Sequence, residues 1–384
     1  MTEPSAAQPL KGLIAVELGT SVAAPTGAMI LAELGVEVFK VEPPKGDDAR
    51  HWGPPFHNGD GMNFVALNRN KRSVVVDYKD AAQRDALKKF IIGRADIVIQ
   101  NLRAGVVEKF GLDSDTLMKA KPSLIYCNLA AFGRKGPRAD KPGYDPLMQA
   151  FGGVMSITGH DGDEPVRVGP AIIDKGSAMW LIIGALAALH RRNLTGEGCV
   201  IDGSLYETAL HWMAVPTAQY LASKKVPRRM GSENIALAPY RAFEASDGWL
   251  VLAVGNEGHF GKLAAALKHP EWAADKRFLT NKDRVGNREA INALVSEAVR
   301  TNTRAHWQAL LDEAGVPCAP VLSIDEVIED PQSKSLGMLQ SAPDGGLSLM
   351  GLPISFDGER PPLRHSAPKL GEATDIVIGK PRSK

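Results

Sequence analysis

The sequence predicts an α/β protein: a large, doubly wound domain built on a parallel sheet, and a smaller α+β domain. Three observations predict it. A strand–helix–strand unit opens the chain, apolar β-branched runs then alternate with helical stretches as far as residue 128, and the pattern changes after Ser223 to a hairpin followed by helices. Leu13–Leu18 reads as a strand, Gly19–Pro25 as a small-residue loop and Thr26–Leu34 as a helix stopped by Gly35. Val36–Glu42 is the next strand, which completes a βαβ unit. Strands at Ser73–Asp77, Ile97–Ile99 and Leu124–Asn128 alternate with helices at Ala81–Ile92 and 105–120. A helix over Pro146–Gly152 and a Gly/Asp-rich turn at Gly159–Glu164 precede an apolar helix opening at Asp174. Val200–Leu205 then reads as a strand running into a helix over Tyr206–Ser223. Pro239–Ala245 and Trp249–Val254, joined at Ser246-Asp247-Gly248, form a hairpin, and helices follow at 258–267, 287–300 and 303–314. The expected domains are 1–200, a helix and linker over 201–232, a small domain over 233–325, and a return segment over 326–384 that packs on the large domain.

Composition excludes several classes. With 45 basic and 44 acidic residues the net charge is +1, which lacks the basic footprint of a general nucleic-acid binder. Three distant cysteines, Cys127, Cys199 and Cys318, show no metal spacing and point to reduced thiols in a cytoplasmic protein with no metal. Residues 1–9 carry no apolar signal core and read as a frayed tail. The longest apolar run, Ala178–Leu189, is shorter than the roughly 20 residues a bilayer span needs, so it reads as a buried core helix. The first strand is not followed by Gly-x-Gly-x-x-Gly, so a nicotinamide or flavin cofactor is not indicated.

Asp174 stands where Val168-Gly169-Pro170-Ala171-Ile172-Ile173 hands over to the apolar helix, and position alone leaves two readings. It is a helix N-cap, accepting from the free N–H groups of the first turn. Or it is a nucleophile, kept ionised by those same groups and the helix dipole. A second set of candidates is basic: Lys40, Lys45, Arg50, Lys71, Arg72, Arg103 and Lys109 cluster near strand ends, where a doubly wound sheet binds its ligand. Each reads either as a phosphate contact or as a solvated surface charge.

Over nearly its full length the chain resembles the class III CoA-transferases, the CaiB/BaiF family. The matching stretches are Lys11–Leu18, Leu34–Pro43, Gly46–Arg50, Asn68-Arg69-Asn70-Lys71-Arg72-Ser73, Ala95–Asn101, Gly111-Leu112, Gly133–Pro137, Pro142–Asp145, Thr195-Gly196-Glu197-Gly198 and Pro239–Phe243. The resemblance implies a Rossmann-like large domain and an open-ring monomer that interlocks with a second copy as a homodimer. It implies a substrate pair, an acyl-CoA (succinyl-CoA among the donors) and a small carboxylic acid such as a dicarboxylate. No tightly bound cofactor and no metal are implied. It places the nucleophile at Asp174, which would form an aspartyl mixed anhydride and then an aspartyl-CoA thioester. CoA would be held by Ser21, Val22 and Ala23 and, on its adenine and phosphate side, by Lys71, Asn101, Leu102 and Lys109. The family's arginine after the second-strand glutamate is Pro43 here, and Lys45 is the candidate substitute. A cation for a second substrate carboxylate would come from Arg50, Arg134, Lys135 or Arg138. Where members carry a run of glycines over the site, this chain has Gly231-Ser232-Glu233-Asn234.

The same fold hosts α-methylacyl-CoA racemases, which pair a histidine in Gly-His-Asp with the aspartate equivalent to Asp174. Here the motif is Gly143-Tyr144-Asp145. A tyrosine is a poor general base near neutral pH, so the position favours transfer over racemisation. Tyr144 otherwise reads as a packed aromatic, and Asp145 as a group orienting Tyr144 or a neighbouring group, or as a cap of the helix after it. A non-catalytic CoA-binding protein on this fold is the remaining alternative.

Overall fold

The computed structural model describes residues 6–379, and these divide into two compact units. The first comprises the chain up to Val154, Arg167–Lys224 and the chain from Pro331 on; the second comprises Met155–Val166 and Lys225–Asp330.

The first unit is built on six parallel strands: β1 (Ile14–Glu17), β2 (Glu37–Glu42), β3 (Lys71–Val75), β4 (Ile97–Gln100), β5 (Ile125–Ala130) and β6 (Val200–Ser204). Their spatial order is 3-2-1-4-5-6. The strands read as apolar runs because both faces of the sheet are covered. Adjacent residues point to opposite layers. Ala15 and Cys127 pack under α1 (Ala23–Glu33), while Val16 and Tyr126 pack under α2 (Ala81–Arg94). Helix α1 begins three residues before the expected Thr26. Pro25 falls in its first turn, where the missing N–H has no intrahelical partner to lose.

Downstream of β5, α3 (Asp145–Phe151) and the 24-residue α4 (Ile172–Thr195) complete the side of the sheet that carries α1. By length and composition α4 is long and apolar enough to cross a membrane, which exceeds the Ala178–Leu189 run expected to be too short. In the structure Ile173, Leu181, Ile182 and Ala185 face inward, onto α1 and the sheet. Gly27 of α1 lies against Ile182, where an added Cβ would sit 3.4 Å from the Ile182 Cδ1, in ordinary van der Waals contact. Helix α4 ends at Gly196 in the left-handed conformation (φ 77°). Gly198 then lies against the backbone, where an added Cβ would be 2.0 Å from the Leu124 carbonyl oxygen. Gly198→Ala must therefore displace β6 or the loop before β5. The expected loss is about 1–3 kcal/mol or more, read as a lower urea midpoint at unchanged slope.

Two expected helices are broken. The stretch 105–120 is Val106–Lys109 and Ser114–Ala120, separated by Gly111 (φ 63°) and by Asp113, which caps the second piece through the Thr116 N–H. The stretch Tyr206–Ser223 is α5 (Leu205–Trp212) and Ala214–Ser223, interrupted at Met213. Of the expected N-terminal tail, residues 1–5 lie outside the described residues; Ala7 is buried and the Leu10 N–H donates to the Leu34 carbonyl. The return segment is tied to β3 and its approach: Asn70 receives the Arg364 and His365 N–H groups, and Ser73 Oγ receives that of Gly371.

The second unit has a three-stranded antiparallel sheet, β9 (Cys318–Pro320), β8 (Gly248–Ala253), β7 (Tyr240–Ala245), in that order. Its own core includes Phe243, Leu252, Phe260, Phe278, Val295 and Leu311. Arg284 is fully buried there, bonded to the Ala238 and Phe278 carbonyls and to Glu257.

Candidate active site

A cleft of about 650 Å³ lies within the first unit, at the carboxyl ends of β1, β4 and β5. In the 3-2-1-4-5-6 order the chain reverses direction across the sheet between β1 and β4. That switch point is where open α/β sheets receive ligands. The loop after β1 (Thr20–Ala23), Asn101 and Leu102 line one part, and Tyr144 and Asp174 line another.

The loop after β1 is held from below by buried charges. Lys40 on β2, paired in register with Glu17 on β1, places its Nζ 2.9 Å from Glu17 Oε1, 2.8 Å from Asp47 Oδ2 and 3.0 Å from the Gly19 carbonyl. Asp47 in turn accepts the Ser21 N–H, at 3.1 Å to Oδ1. Ser21 is left-handed (φ 71°), an uncommon backbone for a residue with a side chain, and this bond helps hold it there. Asn101 clasps the same loop from β4, accepting the Thr20 N–H at 2.9 Å and donating to the Thr20 carbonyl at 3.0 Å. Burial opposes the charge on Lys40, but the carboxylates of Glu17, Asp47 and Glu42 outweigh it and push the ammonium above its ordinary value.

Several expected phosphate contacts belong to this support instead. Lys71 is buried, its three donors taken by Glu17 Oε2, the Pro25 carbonyl and Asn68 Oδ1, each at 2.8 Å. Burial lowers its pKa to about 8, helped by repulsion from Lys40 and opposed by Glu17. It therefore does not reach the cleft as an adenine or phosphate contact. Arg50 is also buried, with two bonds to Glu42 at 2.8 Å and its Nη1 shared between both Asp60 oxygens at 3.1 Å. Neither is a solvated surface charge: both are buried against carboxylates, Lys71 against Glu17 and Arg50 against Glu42. Lys45 is exposed and pairs with Asp48, which lines the cleft; Lys109 is exposed at the end of a short helix, its Nζ 5.9 Å from the centre of the Phe110 ring. Cations that do line the cleft are Arg103, Arg134 and Lys141. Arg134 is steered by Asp202 (3.2 Å), itself bonded to Asn128, which accepts from Gln100. Arg138 packs its guanidinium over the Phe151 ring at 4.6 Å.

Asp174 is not the N-cap. Helix α4 starts at Ile172, which makes Asp174 its third residue, 8% exposed. The capping carboxylate comes from α3: Asp145 Oδ2 accepts the Ile173 N–H at 2.7 Å and the Asp174 N–H at 3.1 Å. The expectation that the helix terminus keeps Asp174 ionised fails for the same reason. Burial, then repulsion from Asp145, raises the Asp174 carboxyl to about 7. Asp145 therefore orients the segment carrying Asp174, and not Tyr144. Tyr144 occupies the residue before α3, half exposed and lining the cleft. Sequence reading missed Gln149, fully buried on α3, which joins Asp145 to the Val168 backbone. Its one signal is the i, i+4 spacing from Asp145.

A parallel sheet with a cleft at its switch point and a buried carboxylate of raised pKa on that cleft defines a candidate enzyme active site. The sequence pattern of CoA-transferase family III matches residues 10–374. The acetyl-CoA:oxalate CoA-transferase of Acetobacter aceti is 35% identical over 378 residues, covering 97% of this chain and 96% of that one. The succinate–glutarate CoA-transferase of Agrobacterium fabrum is 36% identical over 388 residues, covering 98% and 96%. Among solved structures, a CaiB/BaiF family protein from Brucella suis superposes with a TM-score of 0.88 at 38% identity, covering 96% of this chain and 98% of that one. The chain belongs to CoA-transferase family III and is a CoA-transferase.

Proposed function

We propose that the enzyme moves CoA from an acyl-CoA donor, succinyl-CoA among them, to a dicarboxylic acid, with Asp174 as the covalent nucleophile. The observation that carries this reading is the position of Asp174: a buried carboxylate on the cleft that also receives the loop Ser21–Ala23. An oxygen of Asp174 attacks the donor thioester carbonyl, the C–S bond breaks, and CoA leaves as thiolate. The thiolate attacks the aspartyl carbon of the mixed anhydride, and the donor acid leaves with the electron pair. The acceptor carboxylate then runs both steps in reverse. The acyl activation stays on the enzyme, so no ATP is consumed.

On this reading the backbone of Ser21, Val22 and Ala23 meets the CoA, Asn101 and Leu102 lie beside it, and Arg103, Arg134 and Lys141 face its phosphates or the second substrate carboxylate. The dicarboxylate preference is supported by the glutarate and oxalate enzymes to which the chain is similar. An interlocked homodimer belongs to the same proposal. Its support is the half-exposed apolar face of α4 at Met179, Trp180 and Ile183, continued by Trp212.

Trapping tests the nucleophile. Enzyme incubated with succinyl-CoA and then hydroxylamine is expected to carry a hydroxamate on Asp174; an unmodified Asp174 peptide sinks the mechanism. Acceptor choice is tested separately by offering oxalate, glutarate and a five-carbon monocarboxylate against succinyl-CoA and acetyl-CoA. A preference for the monocarboxylate refutes the substrate class, and a monomer by light scattering refutes the dimer.

A further inference from the structure

Gln149 lies one turn beyond Asp145 on α3, and none of its surface is exposed. Its Nε2 donates to Asp145 Oδ1 at 2.5 Å and its Oε1 accepts the Val168 N–H at 2.8 Å. Asp145, 3% exposed, uses its other oxygen on the Ile173 and Asp174 N–H groups. Three of these contacts deliver a donor to Asp145, so both of its carboxyl oxygens act as acceptors. The segment between Gln149 and the start of α4 is thereby pinned at both ends.

The consequence for Asp174 is electrostatic. The N–H groups at the start of a helix normally favour an anion on its first turn. Here those nearest Asp174 already face another anion. Burial and the Asp145 charge are the two causes acting on Asp174; Tyr144 shares its cleft, and Lys175 beside it is exposed. In the half-reaction proposed above, an ionised Asp174 and an acyl-CoA become an aspartyl-CoA thioester and a free donor carboxylate. The negative charge leaves Asp174 with the departing acid, and no net charge is created or lost. A fixed anion beside Asp174 therefore disfavours the free carboxylate and leaves the uncharged acylated form untouched.

We propose that Gln149 is a positioning residue which holds Asp145 against the first turn of α4, and that this clamped carboxylate drives Asp174 toward its acylated form. The proposal rests on the nucleophile reading and adds a charge that, together with burial, biases the acylation equilibrium. Its test uses Asp145→Asn, which keeps a capping oxygen but removes the charge, and Gln149→Leu, which removes both bonds of the clamp. Each variant is mixed with succinyl-CoA and a fixed excess of succinate. The aspartyl-CoA fraction is read by intact mass, and kcat/KM is followed against pH. The Asp145→Asn protein is expected to show an acid limb moved down by about one pH unit or more and an acylated fraction lowered by about tenfold. Gln149→Leu should move both in the same direction, with KM for succinyl-CoA little changed. A purely structural role lowers the folded fraction without shifting either readout. An unmoved acid limb and acylated fraction in the isosteric Asp145→Asn protein, with Asp174 still trapped by hydroxylamine, overturns the clamp alone. If wild-type Asp174 takes no label, the nucleophile reading fails and the clamp with it.

Discussion

Asp174→Asn is expected to abolish CoA transfer and, at pH 8, to make the unliganded protein more stable. The loss of activity follows from the nucleophile: an amide cannot form the anhydride, so the rate should fall on the order of 10³-fold or more, with no hydroxamate at residue 174. The gain in stability follows from linkage. In the unfolded chain an aspartate ionises near its ordinary 3.8, whereas in the fold burial and Asp145 raise Asp174 to about 7. A raised carboxyl binds more protons in the native state between those two values, so the wild-type protein loses stability as pH rises through that window. The full penalty is present above about pH 7 and absent below about pH 4. The shift corresponds to roughly 4 kcal/mol, which the asparagine avoids. Urea unfolding of both proteins at pH 4 and pH 8 checks it: the variant's advantage should grow with pH. A variant less stable than wild type at pH 8, or an advantage independent of pH, refutes the account of a carboxylate held against its preferred state. The same measurement bears on function, because the strain on the free carboxylate is relieved when Asp174 becomes a thioester.

Much of the frame is legible in the sequence because its signals are local. The runs Leu13–Leu18 and Val36–Glu42 around a helix stopped at Gly35 specify a βαβ unit without reference to anything distant. Strand order is not legible, since the pairing of β3 beside β2 and of β4 beside β1 is decided by long-range contacts. Asp174 was locatable through the pattern around it, but its environment was not. Its N–H is capped by a carboxylate 29 positions away, and a sequence shows only that an aspartate precedes an apolar run. The lysines and arginines illustrate the same limit. Lys40, Arg50 and Lys71 look like Arg103 in sequence, but three are buried against Glu17, Glu42 and Asp47 while the fourth lines the cleft. Charge is readable residue by residue; depth is a property of the packed sheet. Gln149 was passed over for a related reason: beyond its i, i+4 spacing from Asp145, a glutamine inside a helix is ordinary until both of its amide atoms are found in use.

Lys40→Met is expected to cost about 3–5 kcal/mol of stability and to loosen the loop that receives CoA. A methionine fills most of the lysine's volume but takes away the single cation between Glu17 and Asp47, both buried. Lys71 does not replace it. Its donors are already committed to Glu17, Pro25 and Asn68, and burial lowers its own pKa to about 8. Asp47, left without its counter-ion, must either take up a proton or draw water in. Either change weakens its hold on the Ser21 N–H, and the Gly19 carbonyl loses its donor as well. Ser21 then has less to keep it in the left-handed region, and the backbone on the cleft relaxes. Binding should suffer more than chemistry, because Asp174 is carried by α4 and capped from α3, outside this network. The expected signature is a lower urea midpoint together with a KM for acyl-CoA raised by about tenfold or more, at a kcat changed much less. A double variant that also neutralises Asp47, Lys40→Met with Asp47→Asn, should recover part of the stability, because position 47 no longer buries an unpaired charge while Glu17 keeps Lys71 as its counter-ion. It should not recover the low KM, since a neutral amide at position 47 is a weaker acceptor for the Ser21 N–H. A single variant with wild-type stability and wild-type KM would show that the buried ions do not hold the loop.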